Sequence, residues 1–186
     1  MDFDLLSYLP ALPLFILLIG GVIVLLLESL LAETTSRMVV YSAALLTSIF
    51  SALASIYVYP SHTVYLFNHM LVIDQLTCLL QIAMSSAVAL VFVYSRAVLQ
   101  AKKLWRGEYF MLSLFALLGM QVMVSSSHFL SLYLGLEILA LSLYALIALQ
   151  RDSLLATEAS MKYFILGALA SGLLLYGMSM LYGATG

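Results

Sequence analysis

The sequence predicts an all-α fold, a polytopic membrane protein of six transmembrane helices. Three observations carry that expectation. Of 186 residues, 65% are hydrophobic and only 9% charged, with a mean hydropathy of +1.13, whereas a soluble domain carries roughly 25% charged residues. Six apolar runs are each long enough to cross hydrocarbon as a helix rising about 1.5 Å per residue. The Lys and Arg residues between those runs fall on alternate linkers only, as the positive-inside rule requires. The net charge of −2 is the sum of so few charges that their positions carry more information than their total.

The first span runs to about Leu31, with Pro10 and Pro13 at its start, where missing amide donors do little harm. Asp2 and Asp4 precede it without a basic residue, which argues against a secretory signal peptide. Glu28 lies one turn from the far end and reads as an interfacial carboxylate. After a short linker, Ala32 to Arg37, the second span covers Met38 to Tyr57 without a formal charge. The uncharged stretch Tyr59 to Ile73 reads as a linker, and His62 and His69 within it are too weak a pair to predict a metal site. Asp74 reads as the N-cap of the third span, Asp74 to Tyr94. Cys78 lies in an apolar run and reads as packing, since one cysteine makes neither a disulfide nor a metal cage.

The stretch Ser95 to Glu108 reads as a basic cytoplasmic linker. The fourth span covers Tyr109 to Val124, and Ser125 to Ser127 form a tight turn into the fifth, His128 to Leu149, with His128 as an interfacial cap. Asp152 or Ser153 caps the sixth, which extends to about Tyr182 and is longer than the hydrocarbon core. Within it Gly167 with Ser171, and Ala168 with Gly172, set small residues four apart, the spacing that lets helices approach closely. If the N-terminus lies outside, Arg37, Arg96, Lys102, Lys103, Arg106 and Arg151 all fall inside.

One carboxylate interrupts the fifth span. Glu137 lies about 13 Å from the start of the run, near the membrane midplane, where an acidic residue costs on the order of 3 kcal/mol on insertion scales. Tyr133, Ala140 and Tyr144 share its helix face. Lys162 on the sixth span, with Glu158 one turn before it, is the other charge at membrane depth. A buried carboxylate and a nearby ammonium can exchange a proton when their separation or hydration changes, which is the chemistry of a relay. A structural ion pair is the alternative reading. Similar depth and antiparallel neighbouring helices lead to the expectation that Lys162 approaches Glu137 across the interface of the fifth and sixth helices, directly or through one water. A pair with Glu158 on its own helix is the competing outcome. Nothing in the sequence resembles a nucleophile–base pair, a metal-ligand cluster, a phosphate-binding loop or a nucleic-acid interface.

The run YLGLEILALSLYALIAL followed by RDS…ATEASMKYFILGALASGLLLYGMSMLYGATG resembles the subunit N family of bacterial NADH–quinone oxidoreductase, respiratory complex I. The likeness is densest from Met111 to Gly186. It implies an antiporter-like fold of about fourteen helices in which helices four to eight repeat, inverted, as nine to thirteen. Residues 1–106 then hold helices one to three and the basic cytoplasmic loop, and residues 107–186 hold helices four to six of an incomplete first repeat. The resemblance assigns Glu137 to the fifth-helix glutamate and Lys162 to the sixth-helix lysine of a proton path; Glu158, Tyr133, Tyr144 and His128, read from spacing and position, are the supporting residues. It implies no cofactor in this chain, with NADH, FMN, iron–sulfur clusters and quinone in partner subunits. The implied partners are the other membrane and peripheral subunits and the lipid bilayer, and the implied location is the bacterial inner membrane with a periplasmic N-terminus. The family's lysines on helices seven, eight and twelve have no counterpart, so the expectation is a fragment or a split gene in which Glu137 cannot complete the path alone. A subunit of a multisubunit cation/proton antiporter, or a structural membrane fragment without activity, are the alternatives.

Overall fold

The structure, a computed structural model, describes residues 5–30, 33–102, 104–150 and 152–185. Asp2, Asp4, Lys103 and Arg151 lie outside them. A 3-10 turn at Leu5–Ala11 containing Pro10 leads into α1 (Leu12–Leu30). Helix α2 (Glu33–Tyr57) follows, then a hairpin of β1 (Val64–Leu66) and β2 (Leu71–Ile73). Helices α3 (Gln75–Ala101), α4 (Gly107–Val124), α5 (Phe129–Ile147) and α6 (Leu154–Thr185) complete the order. All six helices are long and apolar enough to cross a membrane, and the fold is that of a multi-pass membrane protein.

Two elements differ from the reading of the sequence. The stretch Tyr59–Ile73 is not a plain linker, because it folds into the antiparallel hairpin, with Val64 opposite Ile73. Its tip passes through the left-handed region at Phe67, Asn68 and His69 (φ 51, 54 and 64°), and the Met70 amide donates to the Phe67 carbonyl at 3.1 Å. Asn68 and His69 are residue types enriched in that region and Phe67 is not, so the turn carried only a partial signal. The basic linker is also shorter than expected, since α3 continues to Ala101 and α4 opens at Gly107. Arg96 is therefore helical, and its guanidinium folds back over the Tyr41 ring of α2, 5.6 Å from the centroid.

Helix α4 is the hub, packing against α1, α2, α3 and α5, whereas α6 packs on α5 alone among the main helix pairs. The core of the first four helices is apolar around Leu17, Val24, Val40, Ala44, Phe92, Leu114 and Leu117. On the side where α1 ends and α4 begins, aromatic rings close it. Phe110 meets Tyr41, Phe92, Trp105 and Tyr109 edge-on, with centroids 5.2–5.4 Å apart, the arrangement ring quadrupoles favour. Glu28 reaches the same side and accepts from the Gly107 amide at the start of α4, 3.2 Å away, where the helix dipole favours a carboxylate. On the opposite side Asp74 caps α3 by accepting from the Thr77 amide at 2.7 Å. Cys78 is buried there with Ala11, Leu66 and Ile73, an apolar packing position.

The hairpin clasps the turn between α4 and α5. The Val72 amide donates to the Ser125 carbonyl at 2.7 Å and the Ser127 amide to the Met70 carbonyl at 3.0 Å. The Ser131 hydroxyl donates to that same Met70 carbonyl at 2.7 Å. The first turn of α5 is thereby tied to an element outside the membrane-spanning helices.

Candidate functional site

Helix α5 has 19 residues, a length of about 28 Å, and Glu137 is the ninth of them, close to its middle. Two contacts set where this helix stands. On one side Gly119 of α4 and Gly135 of α5 cross backbone to backbone. A methyl at Gly135 would lie 2.7 Å from the Met123 amide nitrogen and 2.9 Å from the Gly119 carbonyl, and one at Gly119 would lie 2.6 Å from the Leu139 nitrogen. No bulkier residue fits without parting the helices. On the other side Tyr144 inserts into α6. Its ring meets Tyr163 and Phe164 edge-on, centroids 5.2 and 5.5 Å apart, and its hydroxyl fills the space a side chain at Gly167 would need.

Glu137 is two positions from Gly135 and seven from Tyr144. At about 100° per residue, it therefore points away from α4 and along the Tyr144 face. The carboxylate is half-buried. Its Oε1 atom is fully buried and has no hydrogen-bond partner among the described residues. Tyr133 and Tyr144 are close enough to interact electrostatically with it. A buried carboxylate oxygen in apolar surroundings is costly unless a proton, a water or a cation joins it.

The expected approach of Lys162 to Glu137 is not what the structure shows, and Lys162 takes the competing geometry instead. Its Nζ atom is ion-paired with Glu158 one turn back on α6, and these side chains are 70% and 60% exposed. Depth does not decide the matter, since α6 starts at Leu154 as the cross-helix pair would need. Rotation does. The α6 positions facing α5 include Gly167 and Ser171, and Lys162 lies about 140° and 180° from them around the helix axis. Gly167 and buried Ser171 thus serve the α5 contact, while Ala168 is exposed and nothing lies within 4 Å of a methyl placed at Gly172.

His128 caps α5, accepting from the Leu130 amide at 3.1 Å. With Tyr182, whose ring centroid is 6.0 Å away, it borders a groove of about 500 Å³ where α5 begins and α6 ends. Ser153 provides the cap of α6, its hydroxyl accepting from the Ala156 amide at 3.3 Å. Among the described residues no three His, Cys, Asp or Glu side chains converge as a metal site.

Comparison with known proteins places this geometry. Over the whole chain the sequence is 50% identical to NADH-quinone oxidoreductase subunit N of Nitrosomonas europaea and 48% identical to that of Thiobacillus denitrificans. Over its whole length the chain is similar to the N-terminal part of NADH-quinone oxidoreductase subunit N. It spans 38% of the length of each of these two relatives. Residues 126–186, which hold α5 and α6, match the family model described as NADH:quinone oxidoreductase/Mrp antiporter, TM. Among solved structures, a chain of respiratory complex I from Thermus thermophilus is similar at a TM-score of 0.77 and 28% identity, covering 93% of this chain and 37% of that one. A chain of the archaeal membrane-bound sulfane sulfur reductase has the same fold at a TM-score of 0.77 and 24% identity, covering 95% of this chain and 37% of that one.

The reading of the sequence missed one polar feature of the helix bundle. Ser51 and Ser55 of α2, Gln81 and Ser85 of α3, and Gln121 of α4 are fully buried together. The signal was present, since Ser51/Ser55, Gln81/Ser85 and Gln121/Ser125 each repeat a polar residue at i, i+4 and so line one face of an apolar helix. It carries no charge, and attention to charged residues alone passes over it.

Proposed function

We propose that this chain is part of the proton-translocating membrane arm of an NADH–quinone oxidoreductase, with Glu137 as a proton-carrying group. The observation that carries the proposal is the midplane carboxylate on α5, one oxygen buried without a partner, on the face shared with Tyr133 and Tyr144. Such a group binds and releases a proton as its hydration or a neighbouring cation changes. Lys162, held to Glu158 here, contributes by exchanging that partner for others when the remainder of the protein is present. Tyr133 and Tyr144 hydrogen-bond to the carboxylate or to water beside it, and His128 supports the outer end of the path.

The redox chemistry takes place elsewhere in this reading. NADH, FMN, iron–sulfur clusters and quinone belong to partner subunits, and this chain binds none of them. It lies in the bacterial inner membrane with its N-terminus in the periplasm and its basic linkers in the cytoplasm, a placement supported by the one-sided Lys and Arg count. Residues 1–106 and 107–186 are then, respectively, helices one to three and the start of the first antiporter-like repeat.

A second reading, a subunit of a multisubunit cation/proton antiporter, is favoured by the double name of the family model. The relatives covering the whole chain favour the first. Proton uptake driven by NADH in vesicles bearing the full-length protein, compared with and without Glu137→Gln, separates the two. Loss of NADH-driven pumping in the variant supports the first reading. Proton movement driven only by a sodium or potassium gradient supports the second.

A further inference from the structure

The Ser/Gln cluster lies on the far side of α4 from the Glu137 site. Gly119 faces α5, and Gln121, two positions on, projects about 200° away around the helix, toward α2 and α3. The cluster needs its own account.

Its hydrogen bonds can be followed atom by atom. The Gln121 Nε2 donates to Ser85 Oγ at 2.8 Å and to Ser51 Oγ at 3.2 Å. Ser85 Oγ donates to Ser51 Oγ at 3.5 Å, and Ser51 Oγ donates to the Pro13 carbonyl of α1 at 3.4 Å. In this arrangement hydroxyl lone pairs face the Gln121 nitrogen, while the onward contacts of the two hydroxyls, at 3.5 and 3.4 Å, are long. The amide then stands with nitrogen inward and oxygen outward, and turning it would let it accept from the same hydroxyls and leave its nitrogen outward. The outward Oε1 is buried and has no partner among the described residues.

Gln81 has a similar deficit. Its Oε1 accepts from Ser55 Oγ at 3.2 Å, while its Nε2 is buried and has no partner among the described residues. Turning this amide only exchanges which end is left over. The Ser55 hydroxyl also reaches the Ser51 carbonyl at 3.1 Å, so it can serve either orientation.

We propose that the bundle of α1–α4 binds ordered water at this site, hydrogen-bonded to the outward ends of the Gln121 and Gln81 amides. Water is the ligand the groups select. It can donate to an outward amide oxygen or accept from an outward amide nitrogen, at Gln121 and Gln81 alike. A sodium ion fits less well, because the Gln121 nitrogen, when inward, competes for the hydroxyl lone pairs that would have to coordinate the ion. Buried water of this kind is part of a structure, making about three hydrogen bonds to groups otherwise unsatisfied. Supply from outside is short, since Gln121 lies about 5 Å and Gln81 about 9 Å from the helix ends on the hairpin side. The water joins α2, α3 and α4 without a charge, so this site does not titrate and is separate from proton transfer at Glu137.

The test is a density map of the full-length protein in its native assembly, at a resolution that shows waters. The expected result is a peak within about 3.2 Å of the outward ends of both the Gln121 and Gln81 amides, as one molecule or two. Well-defined amides without such a peak, a direct Gln81–Gln121 hydrogen bond, or a peak with ion-like distances near 2.4 Å overturns the proposal. A melting experiment supplies an independent answer. In a Ser55→Ala background the water is the remaining partner of Gln81, so adding Gln81→Met lowers the melting midpoint. If the site is dry, the same change removes an unsatisfied amide and the midpoint stays level or rises, which overturns the proposal.

Discussion

Gly135→Ala is the substitution that asks most of this fold. The added methyl lies 2.7 Å from the Met123 amide nitrogen and 2.9 Å from the Gly119 carbonyl. Ordinary contact begins near 3.4 Å, so α4 and α5 must part by about 0.7 Å (3.4 minus 2.7). Two of the three nearest atoms are backbone, and neither can swing aside as a side chain can. Overpacking of this kind costs typically 1–3 kcal/mol. Alanine returns part of that through helix propensity, up to about 1 kcal/mol. Gly21→Ala is the internal control, because its methyl meets only the edge of the Phe115 ring at 3.4 Å and gains the same propensity. Thermal unfolding of the purified protein should place Gly135→Ala below Gly21→Ala by about 1–3 kcal/mol. Gly119→Ala should behave alike, and the double variant should lose less than the sum, since helices parted for one methyl accommodate the second. Glu137 is two residues from the crossing, and displacement approaching 1 Å can cost up to about a hundredfold in rate, so proton pumping should fall as well. A Gly135→Ala protein that melts with the control and pumps normally would refute the tight crossing and the positioning role given to it.

Three further outcomes follow from the same geometry. Asp74→Ala should remove about 1 kcal/mol by deleting the cap of α3, read as faster hydrogen exchange at the Thr77 amide. The bond from that amide holds the Asp74 carboxyl below its ordinary value of 3.8. The cap's stabilisation is therefore complete above that value and is lost as pH falls through the lower folded value, so the difference between wild type and variant should vanish in strong acid. Ser131→Ala should cost about 1 kcal/mol by deleting the bond to the Met70 carbonyl and should raise exchange at the Ser127 amide, which shares that carbonyl. Single cysteines at Thr63 and Lys102 should label from opposite sides in intact cells, Thr63→Cys from the periplasm. Labelling of Lys102→Cys from the periplasm would overturn the orientation.

The six spans were legible because hydrocarbon admits few solutions for backbone polar groups, and length with apolarity nearly determines a helix there. Caps at Asp74 and His128 were legible from residue type and position. The hairpin was not, because its strands are three residues each and its tip puts Phe67, a type that gives no warning there, into the left-handed region. For the site, Glu137 stood out as a lone charge at mid-depth, and Tyr133 and Tyr144 followed from helical spacing. The orientation of Lys162 was harder to read, because depth along an axis is easily counted while rotation about it depends on the neighbouring helix. The positions of Gly167 and Ser171, once seen to face α5, turn Lys162 outward toward Glu158. The Gly119–Gly135 crossing needed coordinates, since the two glycines lie on different helices and only the packing brings them together.

The most direct test of the central claim is NADH-driven proton pumping by the full-length protein in its assembled complex, with Glu137→Gln beside Glu137→Asp. Glutamine keeps the shape and the hydrogen-bonding groups but cannot carry the proton, whereas aspartate keeps the carboxyl on a shorter arm. The account predicts that Glu137→Gln assembles and loses most of its pumping while Glu137→Asp retains part. Normal pumping by an assembled Glu137→Gln complex would contradict it and leave the midplane carboxylate a structural group.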